Sequence, residues 1–409
     1  MLDAAALRND FPILSQEVYG RPLVYLDNGA TTQVPECVLE RVTAHYRTQN
    51  GNVHRGVHFT ANASTHALEA ARHRAAQFIN ATSDDCIVFT RGTTESLNTV
   101  AFGLREYVGP GDHVVVTVME HHSNFVPWQQ LCAERGATFH VCDIDDDGNL
   151  KLHELAELMK LRPKVVSASC CSNVLGTVNP IEHVCALAHK AGALAVLDGA
   201  QIMRHRVMDA QAIDCDFLAF SGHKMMAGTG IGVLYGRREL LDEMPPFLTG
   251  GEMIESVTRT GATYAELPHK FEAGTVNAAG AVGLKAAIDY VNRVGFDKMR
   301  RQEEALVAHT LDGLRALPWV HVLGAEDPAQ HTGIVTFTVD GVHPHDVSQI
   351  LASDGVAVRA GHHCAQPLLK HLGHLSTTRA SFAFYNTMDE ADRLLSSLST
   401  LRERMGYGK

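Results

Sequence analysis

Between about residues 25 and 290, short apolar runs alternate with amphipathic stretches. Val114–Val118, Val165–Ser169, Ala193–Leu197 and Phe217–Phe220 are too short and too evenly apolar for half-exposed strands, so they read as strands covered on both faces. Ile181–Ala191 places Ile181, Val184, Cys185 and Ala188 at helical spacing. This alternation predicts an α/β fold, a mostly parallel sheet with helices on both faces. Glu243–Gly251, dense in Pro and Gly, reads as a loop. A long helical pattern from Ala279 to about Ala316 leads into a smaller α/β part. That part has strands over Gly333–Thr338, Val356–Arg359 and Ala380–Phe384, and helices over His345–Asp354 and Asp389–Leu401. Asp389 reads as the N-cap of the last helix. The expected division is a leading segment 1–22 packed with the smaller domain, a large domain 23–290 and a C-terminal domain 291–409.

Composition narrows the class. The 409 residues suffice for two domains, and a net charge of −11 argues against nucleic acid or an anionic membrane surface as partner. There is no apolar run of membrane-spanning length and no basic, apolar leader, so a cytoplasmic protein is expected. The nine cysteines are scattered and include no CxxC pair; Cys86, Cys132, Cys142, Cys185 and Cys215 lie in apolar contexts and read as core. Two histidine doublets, His121-His122 and His362-His363, stand out among 24 histidines. Adjacent residues chelate poorly, so no metal is expected.

The chemistry-bearing residues gather at strand ends. The run Ala195–Leu197 ends in Asp198, with Gln201 just beyond, and Phe217–Phe220 ends in Ser221-Gly-His223-Lys224. Neighbouring strand ends of an α/β sheet are where such folds bind ligands. A lysine amine, a carboxylate and nearby hydroxyl and imidazole donors match the needs of pyridoxal phosphate: a Schiff base, a protonated pyridine nitrogen and a held phosphate. Arg91-Gly-Thr-Thr94-Glu95 joins a strand, Ile87–Thr90, to a helical pattern starting at Ser96, a turn suited to an anion. His121 closes the strand Val114–Val118, where an imidazole could stack on a pyridine ring and shuttle protons. Cys364, in Arg359-Ala-Gly-His-His-Cys364, is the only cysteine whose context reads as exposed and reactive.

Taken together, the motifs resemble the Suf-type (group II) cysteine desulfurases of the class V aminotransferase family. The resemblance is carried nearly end to end by Tyr25-Leu-Asp-Asn-Gly-Ala-Thr31, Val53-His-Arg-Gly-Val-His58, Arg91-Gly-Thr-Thr-Glu95, Met119-Glu-His-His-Ser-Asn124, Ser172-Asn-Val-Leu-Gly-Thr177, Leu197-Asp-Gly-Ala-Gln201, Ser221-Gly-His-Lys224, Phe271-Glu-Ala-Gly-Thr275, Arg359–Cys364 and Arg379-Ala-Ser-Phe. It implies the fold type I architecture of pyridoxal-phosphate enzymes, a seven-stranded, mostly parallel sheet plus a smaller domain, in a homodimer. Lys224 would carry the cofactor, with Asp198 at the pyridine nitrogen, Gln201 at the ring oxygen and His121 stacked on the ring. Thr94, Ser221 and His223 would hold the phosphate, with Thr275 of the partner subunit. Asn173 and Arg379 would bind the substrate carboxylate, with Arg359 and Arg55 nearby.

The implied reaction converts L-cysteine to alanine and leaves a persulfide on Cys364 for an acceptor protein in iron–sulfur cluster assembly. The run Asp340-Gly-Val-His-Pro-His345-Asp346 resembles family members that serve a zinc-bearing SufU-type acceptor, which would give His345 a docking role. Met225-Met-Ala227 departs from the family pattern without removing a functional group. Competing readings are a selenocysteine lyase or other class V reaction, and a non-catalytic scaffold, against which Lys224, His121, Cys364 and Arg379 together argue.

Overall fold

The computed structural model describes residues 2–407. Seven strands form the main sheet, in spatial order Ile87–Thr90, Gly232–Gly236, Phe217–Ser221, Leu194–Asp198, Val165–Ser169, His113–Thr117 and Thr138–Cys142. Gly232–Gly236 runs antiparallel to both neighbours, and every other pairing is parallel. The evenly apolar runs are buried as their composition demands: every residue of Val165–Ser169 and Phe217–Ser221 is inaccessible. Separate apolar clusters cover the two faces of this sheet.

A second sheet of four antiparallel strands runs in the order Val320–Leu323, Ile334–Val339, Thr377–Ser381 and Arg359–Gly361, over its own core. Val24–Tyr25 pairs in parallel with Val356–Ala357 as a separate two-stranded sheet, and Val24 and Val356 pack into the same core. Among the described residues, no helix is long and apolar enough to cross a membrane.

Five expectations are corrected. The helical pattern over Ala279–Ala316 is two helices, Ala278–Val294 and Phe296–Arg315, broken at Gly295. Gly295 has φ +90°, a conformation that glycine enters without the Cβ clash and that ends a helix. The cap of the last helix, Met388–Arg404, is Thr387 rather than Asp389. Thr387 and Glu390 form a reciprocal capping box, and Asp389 supplies negative charge to the first turn. The expected strand Val356–Arg359 is split between two sheets, and Ala380–Phe384 pairs only as Thr377–Ser381. There the apolar run marked burial, since Phe382 and Phe384 are core residues beyond the ladder. Cys364 is also not alone in being partly accessible, because Cys37 is as well; the five cysteines expected in the core are buried.

One buried ion pair fixes the strand that leads to the ligand-binding end. Arg72, in the helix Phe59–Phe78, meets both carboxylate oxygens of Glu272 at 2.7 and 2.8 Å and donates to Ile87 O; Glu272 also accepts from the Phe89 N–H. Neither side chain is more than 2% exposed. Removing Glu272 leaves the buried guanidinium with only the half-exposed Glu69, 2.9 Å from its Nε, so Glu272→Ala should cost about 3–5 kcal/mol of stability in chemical denaturation. A loss below about 1 kcal/mol would mean that water or another acceptor reaches Arg72.

Candidate active site

The polar ends of the parallel strands converge on one cavity of about 220 Å³. Of the residues singled out in the sequence, Thr94, His121, Asn173, Asp198, Gln201, Ser221, His223, Lys224, Arg359 and Arg379 line it. Lys224 ends a single helical turn, Gly222–Lys224, that directly follows the strand Phe217–Ser221. This turn is pinned by the stretch just after Val24–Tyr25: Thr32 N–H and the Thr31 and Thr32 hydroxyls all donate to His223 O, and Met226 N–H donates to Thr32 Oγ1. Met225, Met226 and Ala227 are at most 1% exposed, so the departure from the family pattern forms packed core under the lysine.

Burial lowers the pKa of Lys224. Asp198 opposes that shift, while Arg379 and Arg359 add to it. Asp198, the last residue of its strand, accepts from Ala200 N–H at 2.9 Å, and burial raises its pKa against the pull of that bond and of Lys224. Gln201 Nε2 donates to Gly29 O at 2.8 Å, which aims the amide and leaves a second N–H free.

Ser123 N–H donates to His121 Nδ1 at 3.1 Å, so the neutral ring carries its proton on Nε2. Burial, then the charge on Lys224, lowers the pKa of His121 to about 3. Below it, Glu120 is fully buried with no cation beside it. Thr117, Asn124 and both the N–H and hydroxyl of Ser169 donate to its carboxylate, and burial raises its pKa to about 7. Glu120 thereby ties the His121 turn to the neighbouring strand.

The helix that follows Arg91 starts at Thr93 (not Ser96), which puts Thr93 and Thr94 in its first turn with N–H groups free of helical partners. Ser221 Oγ accepts from Thr93 N–H at 2.8 Å, and Thr94 Oγ1 lies 2.7 Å from Ser123 Oγ. A Cβ on Gly232 would stand 2.5 Å from Gly92 Cα, so this turn can approach the sheet only where a side chain is absent. His223 Nδ1 lies 3.2 Å from Thr31 Oγ1, and burial followed by Lys224 lowers its pKa to about 4.

On the opposite wall, Arg359 and Arg379 face each other in register on adjacent strands of the small sheet. Like charges directly across a ladder repel. Arg379 is 2% exposed and meets Asp27 at 3.1 Å, while its Nε has no partner; Asn173 Oδ1 is likewise buried and unpartnered. A pair of arginines kept here against repulsion and desolvation suits a carboxylate.

Cys364 is partly accessible and directly follows His363, which lines the cavity. It sits on a tight loop. His122 N–H donates to Cys364 O at 2.7 Å, and Asn173 Nδ2 donates to His363 O at 2.7 Å. His363 and Cys364 have φ of +51° and +55°, two consecutive left-handed residues that cost about 1–2 kcal/mol each.

Arg55 and Thr275 are not among the residues lining the cavity; Arg55 lines a separate hollow and pairs with Glu252 at 3.0 Å. His345 is exposed in the first turn of the helix Pro344–Ser353. The sequence reading missed Asp27, Gly29, Glu120, Ser123, Ser169 and His363 as parts of the site. Several stand inside motifs that carried the resemblance, and that was their only signal.

The residues fit pyridoxal phosphate: an amine and a carboxylate deep in the cavity, and an anion cradle of hydroxyls at a helix start. The neutral His121 ring, its proton on Nε2, lines the same cavity. Fold and site together define a fold type I pyridoxal-phosphate enzyme. The Aminotransferase class-V family matches residues 24–394, and the chain belongs to that family. It is 46% identical over 407 residues to a probable cysteine desulfurase of Halalkalibacterium halodurans, covering 99% of this chain and 100% of that one. The apo structure of a cysteine desulfurase from Thermococcus onnurineus NA1 superposes with a TM-score of 0.94 at 41% identity over 99% of both chains. For the cysteine desulfurase CsdA from Escherichia coli, the values are 0.91 and 38%, again over 99% of both chains.

Proposed function

We propose that this chain is a pyridoxal-phosphate-dependent cysteine desulfurase of the Suf type. The observation that carries the reading is one cavity joining Lys224 and Asp198 to an in-register arginine pair, with Cys364 beside it. Desulfurases at 46% and 41% identity over nearly the whole chain support it.

Lys224, Asp198, Gln201 and His121 would hold the cofactor ring; Thr94, Ser221 and His223 would hold its phosphate, with Thr275 of the partner subunit in a homodimer. When bound, the cofactor supplies an electron sink for charge at the substrate α-carbon. Arg379 and Arg359 bind the carboxylate of L-cysteine, and Asn173 holds the cysteine loop through His363 O. Arg55 would stand near that carboxylate, although in this chain it lines a separate hollow and pairs with Glu252. Lys224 Nζ, its basicity reduced by burial, takes the α-proton. His121 carries a proton on Nε2 that can be passed at the substrate thiol. Cys364 Sγ attacks the substrate sulfur: the carbon–sulfur bond breaks, a sulfur–sulfur bond forms, and protonation of the remaining carbon gives alanine. L-cysteine and the Cys364 thiol thus become L-alanine and a Cys364 persulfide, with no atom left over.

The persulfide is handed to an acceptor protein for iron–sulfur cluster assembly in the cytoplasm, with exposed His345 as a docking residue for a zinc-bearing SufU-type acceptor. Residues 23–290 would form the cofactor-binding domain and 291–409 the domain carrying Cys364, with 1–22 packed beside it; the separate apolar cores of the two sheets support this division.

The test is to supply L-cysteine to the cofactor-loaded protein with a reductant and to measure alanine and sulfide. Equal yields of the two are expected, and in the absence of reductant a persulfide mass on the Cys364 peptide. Alanine without that mass adduct would turn the reading toward a lyase, and no alanine would sink it.

A further inference from the structure

The two histidine doublets are each split by the fold. His121 and His363 turn inward, His121 onto the cavity and His363 onto Thr377 Oγ1 at 2.9 Å. His122 and His362 turn outward and meet each other, with ring centroids 5.5 Å apart. Cys364 stands with them. One ligand atom from each of His122, His362 and Cys364 lies within 4.8 Å of the others. The expectation of no metal rested on the poor bite of sequence neighbours, and the fold removes that objection by taking one histidine from each doublet.

We propose that His122, His362 and Cys364 form a three-ligand site for a borderline-soft divalent cation, Zn²⁺ above all, at the rim of the active site. The donor set is two imidazoles and a thiolate, which favours zinc over magnesium or calcium. Tetrahedral bonds of about 2.3 Å to sulfur and 2.0 Å to nitrogen put ligand atoms about 3.3–3.6 Å apart, so closure needs side-chain shifts of about 1 Å. Two of the three side chains can make them: His362 is exposed and Cys364 partly so.

Neither ring is committed to a side-chain partner. Gln366 N–H donates to His122 Nε2 and Cys364 N–H to His362 Nδ1, each at 3.1 Å. A cation competes only with these two long bonds from the same loop. Three protein ligands leave a fourth position for water or an incoming thiolate.

A consequence rests on the reading of Cys364 as sulfur carrier. A thiolate bound to zinc is withdrawn from attack, so zinc at this site inhibits desulfuration. Binding itself does not depend on that reading.

The test uses the cofactor-loaded protein, kept reduced with a phosphine. Zn²⁺ is titrated by equilibrium dialysis with elemental analysis, and Co²⁺ serves as an optical probe. One ion per chain is expected, with the visible bands of tetrahedral cobalt and a sulfur-to-metal charge-transfer band that Cys364→Ala removes. Outer-shell partners alone are worth about 10–100-fold in metal affinity, so His362→Ala and His122→Ala should each weaken binding by at least about 100-fold. Retained cofactor absorbance and circular dichroism would exclude misfolding of the exposed His362→Ala variant.

Binding that is absent, or unchanged in His362→Ala, overturns the proposal. The second outcome would point to His54, Glu69 and His269, another cluster among the described residues. If zinc binds as expected but alanine formation is not slowed, the metal site stands and the sulfur-carrier role of Cys364 falls.

Discussion

Cys364→Ala should lower alanine formation from L-cysteine by about 10³-fold or more, the scale expected when the nucleophile that makes the new bond is removed. Cofactor absorbance and the affinity for a cysteine analogue lacking a transferable sulfur should stay near wild type. That split separates loss of chemistry from loss of the pocket, because Cys364 is not among the residues lining the cavity. Alanine forming at the wild-type rate in this variant would assign sulfur release to another acceptor or to water. Cys364→Ser is the stricter control. It keeps the volume and a polar atom on the strained loop and removes only the sulfur.

Lys224→Ala should lower turnover by at least about 10²–10⁴-fold, the range for a positioned proton-transfer group, before the loss of covalent attachment is counted. Borohydride reduction followed by mass spectrometry should find the cofactor on the Lys224 peptide of wild type and nowhere in the variant. Stability should move the other way. Burial lowers the pKa of Lys224 below its ordinary value of 10.5, so the unfolded chain binds this proton more tightly than the folded one. The buried amine therefore weakens the cofactor-free fold at neutral pH, and the penalty fades as pH rises through the lowered pKa toward 10.5. Calorimetry of the cofactor-free proteins should show Lys224→Ala at least as stable as wild type at neutral pH, with a flatter alkaline profile. A marked destabilisation would mean that the lysine holds the turn Gly222–Lys224 in place.

Much of this site was legible in the chain because its residues terminate buried strands. A short, evenly apolar run ending in Asp198, or in Ser221-Gly-His-Lys224, announces both the strand and the side of the sheet on which its polar end emerges. Cys364 was legible from a loop composition unlike that of the core cysteines. What stayed hidden depends on contacts distant in sequence. No local pattern places Asp27 against Arg379, lays Arg359 opposite Arg379, or brings His122 to His362. Gly295 in a helical pattern is compatible with continuation, and only its backbone geometry shows the break. Glu120 looked like one more polar residue beside a histidine doublet, although four donors from three elements converge on it.

If Cys364 carries sulfur as proposed, the consecutive left-handed residues His363 and Cys364 would bear on how that sulfur leaves. Their carbonyls are tethered from two sides, by His122 N–H and by the Asn173 amide. Such a loop behaves as a post and not as a swinging arm, since relaxing either residue breaks a tether. The terminal sulfur of a Cys364 persulfide would therefore travel little farther than rotation about the cysteine side-chain bonds allows. Delivery becomes a matter of the recipient's shape. A sulfur acceptor would have to push its own reactive atom down to this rim, so selectivity for the recipient would be set by a narrow landing place.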